Sequence, residues 1–263
     1  AYFFSEDGIY DFPLIQNIRQ FPNIRLFENL GVDIRNEKEV IKNYIKVQES
    51  FNKKNSVQFL KTHSYLFNID NNAFTDLKNS LGSIYIVRDP RNVVTSWSKF
   101  ANVSIQKAAD TLINTTQFGG DLNVKEGSER SMVHMGTWNG NFQSWKSFKY
   151  QDRYLLIKYE DLINNRKENF LKVLKFIFKL QKTKFELNKS KFENVIETTD
   201  FAKLKKLEKE KGFSEAKTNK KTGEKIPFFN LGPKNDWKTM LDSEVRAKIE
   251  KAFEKEMLEL GYL

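Results

Sequence analysis

Short apolar runs alternate with segments of helical periodicity along this chain of 263 residues, and this alternation narrows the choice of fold more than any other feature. One apolar run, at 84–87, leads through Asp89 and Pro90 straight into a helical pattern. Such alternation is typical of a parallel sheet with helices on both faces, where functional groups gather at the carboxyl ends of the strands. We therefore predict an α/β fold in a single domain, residues 1–263. The predicted strands are 57–60, 84–87 and 154–159, and the predicted helices are 37–51, 105–115 and 168–180.

The segment 83–100 predicts an anion site. Pro90 suits the first turn of a helix, which leaves Arg88 at the carboxyl end of the preceding strand. Ser96 lies two turns into the same helix, so a hydroxyl and a guanidinium can converge beside free backbone N–H groups that favour an anion. The alternative interpretation is a surface pair between Arg88 and Asp89, with Ser96 as an ordinary helix serine.

A second apolar run, at 57–63, ends in the sequence Lys-Thr-His. Taken alone, Lys61 reads as an exposed lysine and His63 as a structural histidine. The chain has only two histidines, and the other, His134, has no neighbouring chemistry and is expected to be structural. Since no second histidine or cysteine stands at ligand spacing, we predict no metal site.

Composition excludes several classes of protein. The chain has no cysteine, so neither a disulfide framework nor a thiolate metal site is available, and a reducing, cytoplasmic location is expected. It also has no apolar run of about 18 residues and no signal-peptide pattern, so we expect no membrane span.

Six segments, in this order along the chain, resemble the sulfotransferases that use 3′-phosphoadenosine 5′-phosphosulfate as donor. The first two are the runs ending in Lys-Thr-His and in Arg88. The others resemble the family's G-S-W…W segment, its strand ending Y-E-D-L, its T-x-F segment and its C-terminal R-K-G-x-x-G-D-W-K. These six segments are 57–63, 83–100, 135–145, 155–162, 198–204 and 228–238.

The resemblance implies a P-loop-NTPase-like sheet and a sulfuryl transfer to a hydroxyl or amine of a small acceptor. It implies that His63 is the general base and that Lys61 stabilises the charge on the transferring group. Arg88 and Ser96 would hold the 3′-phosphate of the donor, with Tyr159, Thr199 and Phe201 around the adenine. The remaining implied positions are three cofactor contacts, Asn230, Leu231 and Gly232, and two acceptor contacts, Phe118 and Met132.

The chain departs from the family pattern in two places. Asn230 and Leu231 stand where relatives have arginine and lysine, and Lys234 is a nearby candidate to replace their charge. The family's opening strand and phosphosulfate loop, of the form Y-P-K-S-G-x-T-W, has no counterpart before the segment 2–12. We expect a fragment or a truncated chain, or else a natural relative that has lost the loop, and nearly no activity from these residues alone.

The net charge of +10 is concentrated in residues 146–225, which hold 22 Lys+Arg against 12 Asp+Glu. This charge has three interpretations: a solvated surface, a nucleic-acid site, or an electrostatic field that attracts a polyanionic donor. Phe170, Phe176 and Phe178 fall at helical spacing, which favours core packing over base stacking. We therefore favour a solvated surface whose positive field also attracts the polyanionic donor, and we expect no nucleic-acid partner.

Three expectations concern alternatives and assembly. A nucleotide-binding or regulatory relative without catalysis would keep the 3′-phosphate half of the site. A P-loop kinase would need a Walker loop and a magnesium-binding acid, and neither is found in the sequence. A homodimer is considered, and the polar, glycine-containing segment 211–225 is expected to be a loop, with a role as a lid over the nucleotide.

Overall fold

The computed structural model describes residues 1–52, 57–114, 133–218 and 223–263. Within these ranges the strands are β1 Arg19–Gln20, β2 Leu60–Lys61, β3 Asn68–Ile69, β4 Asn72–Ala73, β5 Ser83–Val87, β6 Tyr154–Lys158, β7 Lys217–Thr218 and β8 Lys225–Ile226. The α-helices are α1 Ile24–Glu28, α2 Glu37–Phe51, α3 Pro90–Ala101, α4 Ile105–Asn114, α5 Trp138–Trp145, α6 Tyr159–Asn164, α7 Arg166–Leu180, α8 Lys189–Thr198, α9 Phe201–Lys211 and α10 Ser243–Leu260.

Strands β5 and β6 form the parallel pair that places the site. Their register joins Ser83 to Tyr154 at one end and Val87 to Lys158 at the other. Because parallel strands end at the same edge of a sheet, the residues that follow them, Arg88 and Tyr159, are brought together.

The predicted continuous parallel sheet is present as separate pairs among the described strands. β1 and β2 form a second parallel pair, and no described strand joins it to β5 and β6. The predicted strand 57–60 is shorter than expected, since regular pairing is limited to Leu60–Lys61. Two apolar side chains near these strands are exposed: Ile86 of β5 is 60% exposed, and Val57, before β2, is 41% exposed.

Helix α3 begins where the sequence predicts. The Asp89 carboxylate accepts a hydrogen bond from the backbone N–H of Arg91, and Pro90 occupies the first turn. The helix ends at Asn102, whose φ of 53° lies in the left-handed region that asparagine tolerates. One face of α3 packs on α4 and α10 through a core that includes Val94, while the opposite face remains at the surface.

An aromatic core supports the β1–β2 end of the molecule. Tyr44 of α2 is fully buried and packs edge-on against Phe27 and Phe67, with Phe74 also in contact. Trp145 of α5 joins the same core and donates its indole N–H to the carbonyl of Ser64 at 3.0 Å. This contact fixes the chain just after the Lys-Thr-His sequence.

The polar segment predicted as a loop contains regular structure. The segment 211–225 is not wholly a loop, because α9 continues to Lys211 and β7 and β8 then form an antiparallel pair. The candidate acceptor contacts Phe118 and Met132 lie outside the described residues, as does the glycine-containing segment 119–127, for which we expect a loop. None of the described helices has the length and apolar character needed to cross a bilayer.

Candidate functional site

Arg88 lies at the centre of the candidate site, after β5. Its guanidinium carbon stacks 4.3 Å from the ring centroid of Tyr159, and Nη2 donates to the carbonyl oxygen of Gly232 at 3.4 Å. Its Nε is buried and has no hydrogen-bond partner among the described residues. A buried charged donor without a partner is costly, so the arrangement suits an anion that accepts from this guanidinium.

Gly232 is required by the geometry on the other side of Arg88. Its φ of +51° is left-handed, and a Cβ at this position would lie 2.2 Å from ring atoms of Phe201. Only glycine lets the backbone approach the Phe201 ring this closely. The structure thus joins four of the predicted nucleotide contacts through direct neighbours: Arg88, Tyr159, Phe201 and Gly232.

The other predicted contacts on this side adjoin the same group. Asn230 and Leu231 precede Gly232, and the Asn230 carbonyl accepts a hydrogen bond from Lys205 Nζ at 2.9 Å. Lys234 closes a short 3-10 turn by donating its backbone N–H to the Leu231 carbonyl. Thr199 lies at the end of α8, two residues before Phe201, and its hydroxyl donates to the Val195 carbonyl at 2.6 Å.

Ser96 is exposed on α3, and no hydrogen bond within the described part of the chain joins its side chain to Arg88. The buried residue beside it, Thr95, instead donates its hydroxyl to Asn235 Oδ1 at 2.9 Å. Asn235 Nδ2 donates to the Asn92 carbonyl, and the Trp237 N–H donates to Asn92 Oδ1. This network fastens the C-terminal segment to α3, and sequence reasoning missed it because each asparagine alone resembles a turn residue.

Lys61 and His63 form the second part of the candidate site, at the end of β2. The Lys61 ammonium lies 3.5 Å from a carboxylate oxygen of Glu215. The His63 side chain reaches solvent. Its pKa is nevertheless lowered below the ordinary 6.5, first by desolvation from the surrounding protein and second by the Lys61 charge, while the Glu215 carboxylate acts in the opposite direction. Because only a neutral imidazole accepts a proton, this lowered pKa keeps His63 in its basic form at pH 7.

Asn141 positions His63 and was not singled out from the sequence. Its Nδ2 donates to the backbone carbonyls of His63, at 3.0 Å, and of Met135, at 2.7 Å. Its Oδ1 in turn accepts from the hydroxyl of Tyr85 in β5 at 3.0 Å. Asn141 therefore connects the Lys-Thr-His end of β2 to the strand that carries Arg88. The spacing of Asn141 from Trp138 and Trp145 on one short helix was the available signal.

The neighbouring charges should move the pKa of His63 in opposite directions. We expect Lys61→Met to raise this pKa, because a positive charge is removed, and Glu215→Gln to lower it. NMR titration of the imidazole signals measures both shifts, and His63→Gln assigns the two histidines. The pKa of His134, which is buried against Phe67 and also lowered by desolvation, is the internal control. Equal shifts of both histidines, or a His63 midpoint above 6.5, would contradict this arrangement.

Arg91 forms a buried ionic cluster beneath the site. It pairs with Asp89 at 2.7 Å and with Glu250 at 2.6 Å, and it donates to the Tyr262 carbonyl at 2.8 Å. Its guanidinium also stacks 3.9 Å from the ring of Trp237. Trp237, in the segment 228–238, is thereby packed on a buried cation. The described residues contain no group of three or more His, Cys, Asp or Glu side chains that could hold a metal ion.

Taken together, these elements define an α/β protein with an arginine whose buried Nε no described residue satisfies at the end of one parallel strand, and a lysine and histidine at the end of another. The chain belongs to the sulfotransferase family, since the family's sulfotransferase domain matches residues 11–261. Sulfotransferase 2A2 of Rattus norvegicus is 26% identical over 183 residues, which cover 66% of this chain and 55% of that protein. The chain therefore spans little more than half the length of this curated relative.

Two solved structures are also similar. Retinol dehydratase in complex with androsterone and inactive cofactor PAP has a TM-score of 0.50 and 13% identity, covering 88% of this chain and 65% of its own. Mouse sulfotransferase SULT7A1 complexed with PAP has a TM-score of 0.39 and 19% identity, covering 67% and 58% respectively. The family match confirms the predicted family, and the first of these structures confirms the predicted α/β fold.

Proposed function

We propose that this protein binds 3′-phosphoadenosine 5′-phosphosulfate and takes part in transfer of its sulfuryl group to a small acceptor. The observation that carries the proposal is the Arg88 guanidinium, held between Tyr159 and Gly232 with a buried Nε that no described residue satisfies. An arginine fork suits a phosphate group, since it can donate two parallel hydrogen bonds.

The nucleotide would lie along the group of residues around Arg88. We assign the 3′-phosphate to Arg88, with Ser96 of α3 as a second donor. We assign the adenine to the space bordered by Tyr159, Thr199 and Phe201, whose aromatic rings offer stacking surface. Asn230, Leu231 and Gly232 would line the 3′-phosphate side, with Lys234 as the candidate that replaces the charged side chains found in relatives.

The transfer itself needs a base and a positive charge near the reacting sulfur. In this proposal, the neutral His63 imidazole takes the proton of the acceptor's hydroxyl or amine as that atom forms its bond to sulfur. The donor supplies the sulfuryl group, whose bond to the 5′-phosphate oxygen breaks in the same transfer. The Lys61 ammonium stabilises negative charge on the sulfuryl oxygens, once it leaves Glu215.

The acceptor is proposed only as a class. Androsterone, a small molecule, is bound in the retinol dehydratase structure, and a small hydroxyl- or amine-bearing acceptor fits the same chemistry here. A cytoplasmic location is proposed from the absence of cysteine in the sequence, and the homodimer stays a prediction.

Calorimetric titration with 3′-phosphoadenosine 5′-phosphate (PAP), and with adenosine 5′-monophosphate (AMP) for comparison, tests the proposal. We expect PAP to bind more tightly than AMP and Arg88→Ala to abolish most of that difference, about a hundredfold for a charged hydrogen-bonded pair. Arg153→Ala is the matched control, because Arg153 also donates to a backbone carbonyl, that of Leu77, but precedes β6 and so lies at the opposite edge of the pair. A folded protein that binds neither nucleotide would refute the proposal.

A further inference from the structure

One face of α9 holds the turn that contacts Arg88. Phe201, Lys205 and Glu208 lie four and then three residues apart, so their side chains share a side of the helix. All three reach the segment 228–232: the Phe201 ring lies against Gly232, Lys205 Nζ donates to the Asn230 carbonyl, and Glu208 accepts from the backbone further upstream.

Glu208 makes the strongest of these contacts. Its carboxylate oxygens accept the N–H groups of Phe228 and Phe229 at 2.7 and 2.9 Å. The residue is only 8% exposed, and a buried carboxylate is costly unless such donors compensate it. Two adjacent backbone donors on two oxygens need a carboxylate, because the amide of glutamine would place its own NH₂ against one of them.

The position of this turn matters for Arg88. The Gly232 carbonyl, three residues after Phe229, accepts the hydrogen bond from Arg88 Nη2 and so fixes one end of the guanidinium. The rings of Phe228 and Phe229 pack on Phe213, which follows α9, so α9 holds the backbone of the turn and the residues just after α9 hold its side chains. A shift of the turn would carry the Gly232 carbonyl away from Arg88.

We propose that Glu208 is a positioning residue for the nucleotide site: it fixes the Phe228–Gly232 turn on α9, and through the Gly232 carbonyl it holds Arg88 ready for the 3′-phosphate. This inference rests on the proposed function. It assigns Glu208 no contact with the nucleotide and no part in proton transfer. Its effect falls mainly on the 3′-phosphate, since Phe201, on the adenine side, touches the turn but is carried by α9 itself.

Calorimetry of Glu208→Gln with PAP and AMP tests the inference. We expect the affinity for PAP to fall about tenfold, as for loss of a hydrogen bond to a charged group, with much less change for AMP. In an Arg88→Ala background the same substitution should have almost no further effect, because both act on one interaction. The control is Glu210→Gln, on the same helix, whose exposed carboxylate contacts only Lys206 in the described ion pairs.

The possible outcomes separate the two proposals. If the unaltered protein binds no PAP, the proposed function fails and this inference falls with it. If it binds PAP and Glu208→Gln binds equally well, or loses PAP and AMP affinity in proportion, only the positioning role is overturned.

Circular dichroism shows whether Glu208→Gln has folded. If it has not folded, Lys205→Met is the second variant. Lys205 is exposed, and its side chain is the other anchor of the turn, through the Asn230 carbonyl. Lys206→Met is the control. A selective loss of PAP affinity in Lys205→Met alone supports the role of α9, and unchanged affinity overturns it.

Discussion

Arg91→Ala is expected to lower the free energy of unfolding by about 3–5 kcal/mol, the usual result of removing one partner from a buried ion pair. The Arg91 side chain is 7% exposed and compensates the carboxylates of Asp89 and Glu250, one of which is equally buried. Its loss also frees the Trp237 ring and the Tyr262 carbonyl. Since whole domains are stable by only about 5–15 kcal/mol, this is a large fraction of the total.

Urea denaturation followed by tryptophan fluorescence measures this loss. Arg246→Ala is the matched control, because Arg246 approaches the same two partners, Glu250 and Trp237, from an exposed position and should cost less than about 1 kcal/mol. Adding Glu250→Gln to Arg91→Ala should recover part of the stability, because one of the two stranded charges is neutralised. Equal effects of Arg91→Ala and Arg246→Ala would show that burial of the cluster is unimportant.

Gly232→Ala is expected to weaken PAP binding by more than tenfold, since the new Cβ would overlap the Phe201 ring and one of the two must move. Movement of the ring opens the proposed adenine side, and movement of the backbone releases Arg88 from the Gly232 carbonyl. The left-handed φ adds strain of about 1 kcal/mol for a residue with a side chain.

Gly261→Ala separates this strain from the steric clash. Gly261 ends α10 with a φ of +69° and a ψ of 37°, also left-handed, and a Cβ there would meet no atom within 4 Å. Gly261→Ala should therefore lose only the stability that the strain costs, Gly232→Ala should lose more, and only Gly232→Ala should lose nucleotide affinity, as measured by calorimetry. If both variants bind PAP like the unaltered protein, close packing of Gly232 on Phe201 has no role in the site.

Local features were predicted well because the information for them lies within a few residues. The helix predicted at 37–51 is confirmed as Glu37–Phe51, and the Asn36 side chain caps its first turn. The helix predicted at 168–180 begins two residues earlier, at Arg166, because polar residues at a helix start carry no periodic signal. The helix start at Pro90 after Asp89 was also predicted correctly.

Long-range features were not predictable in the same way. The contact between Arg88 and Gly232 spans 144 positions of sequence, and that between Arg91 and Glu250 spans 159. Its residue type and position marked Arg88 as a candidate hydrogen-bond donor to an anion. Nothing in the sequence around Arg91, however, indicated that Arg91 is buried. Glu208 was similarly hidden, since it stands among lysines and glutamates that read as a solvated helix face.

Folding, rather than binding, restricts the Arg88 side chain. A long side chain such as arginine loses up to about 2 kcal/mol of rotamer entropy when it is immobilised. Here the Tyr159 ring and the Gly232 carbonyl already hold the guanidinium in one orientation. An anion that arrives at Arg88 therefore meets a group with little freedom left to lose, and its binding entropy is more favourable than that of the same anion on a mobile surface arginine.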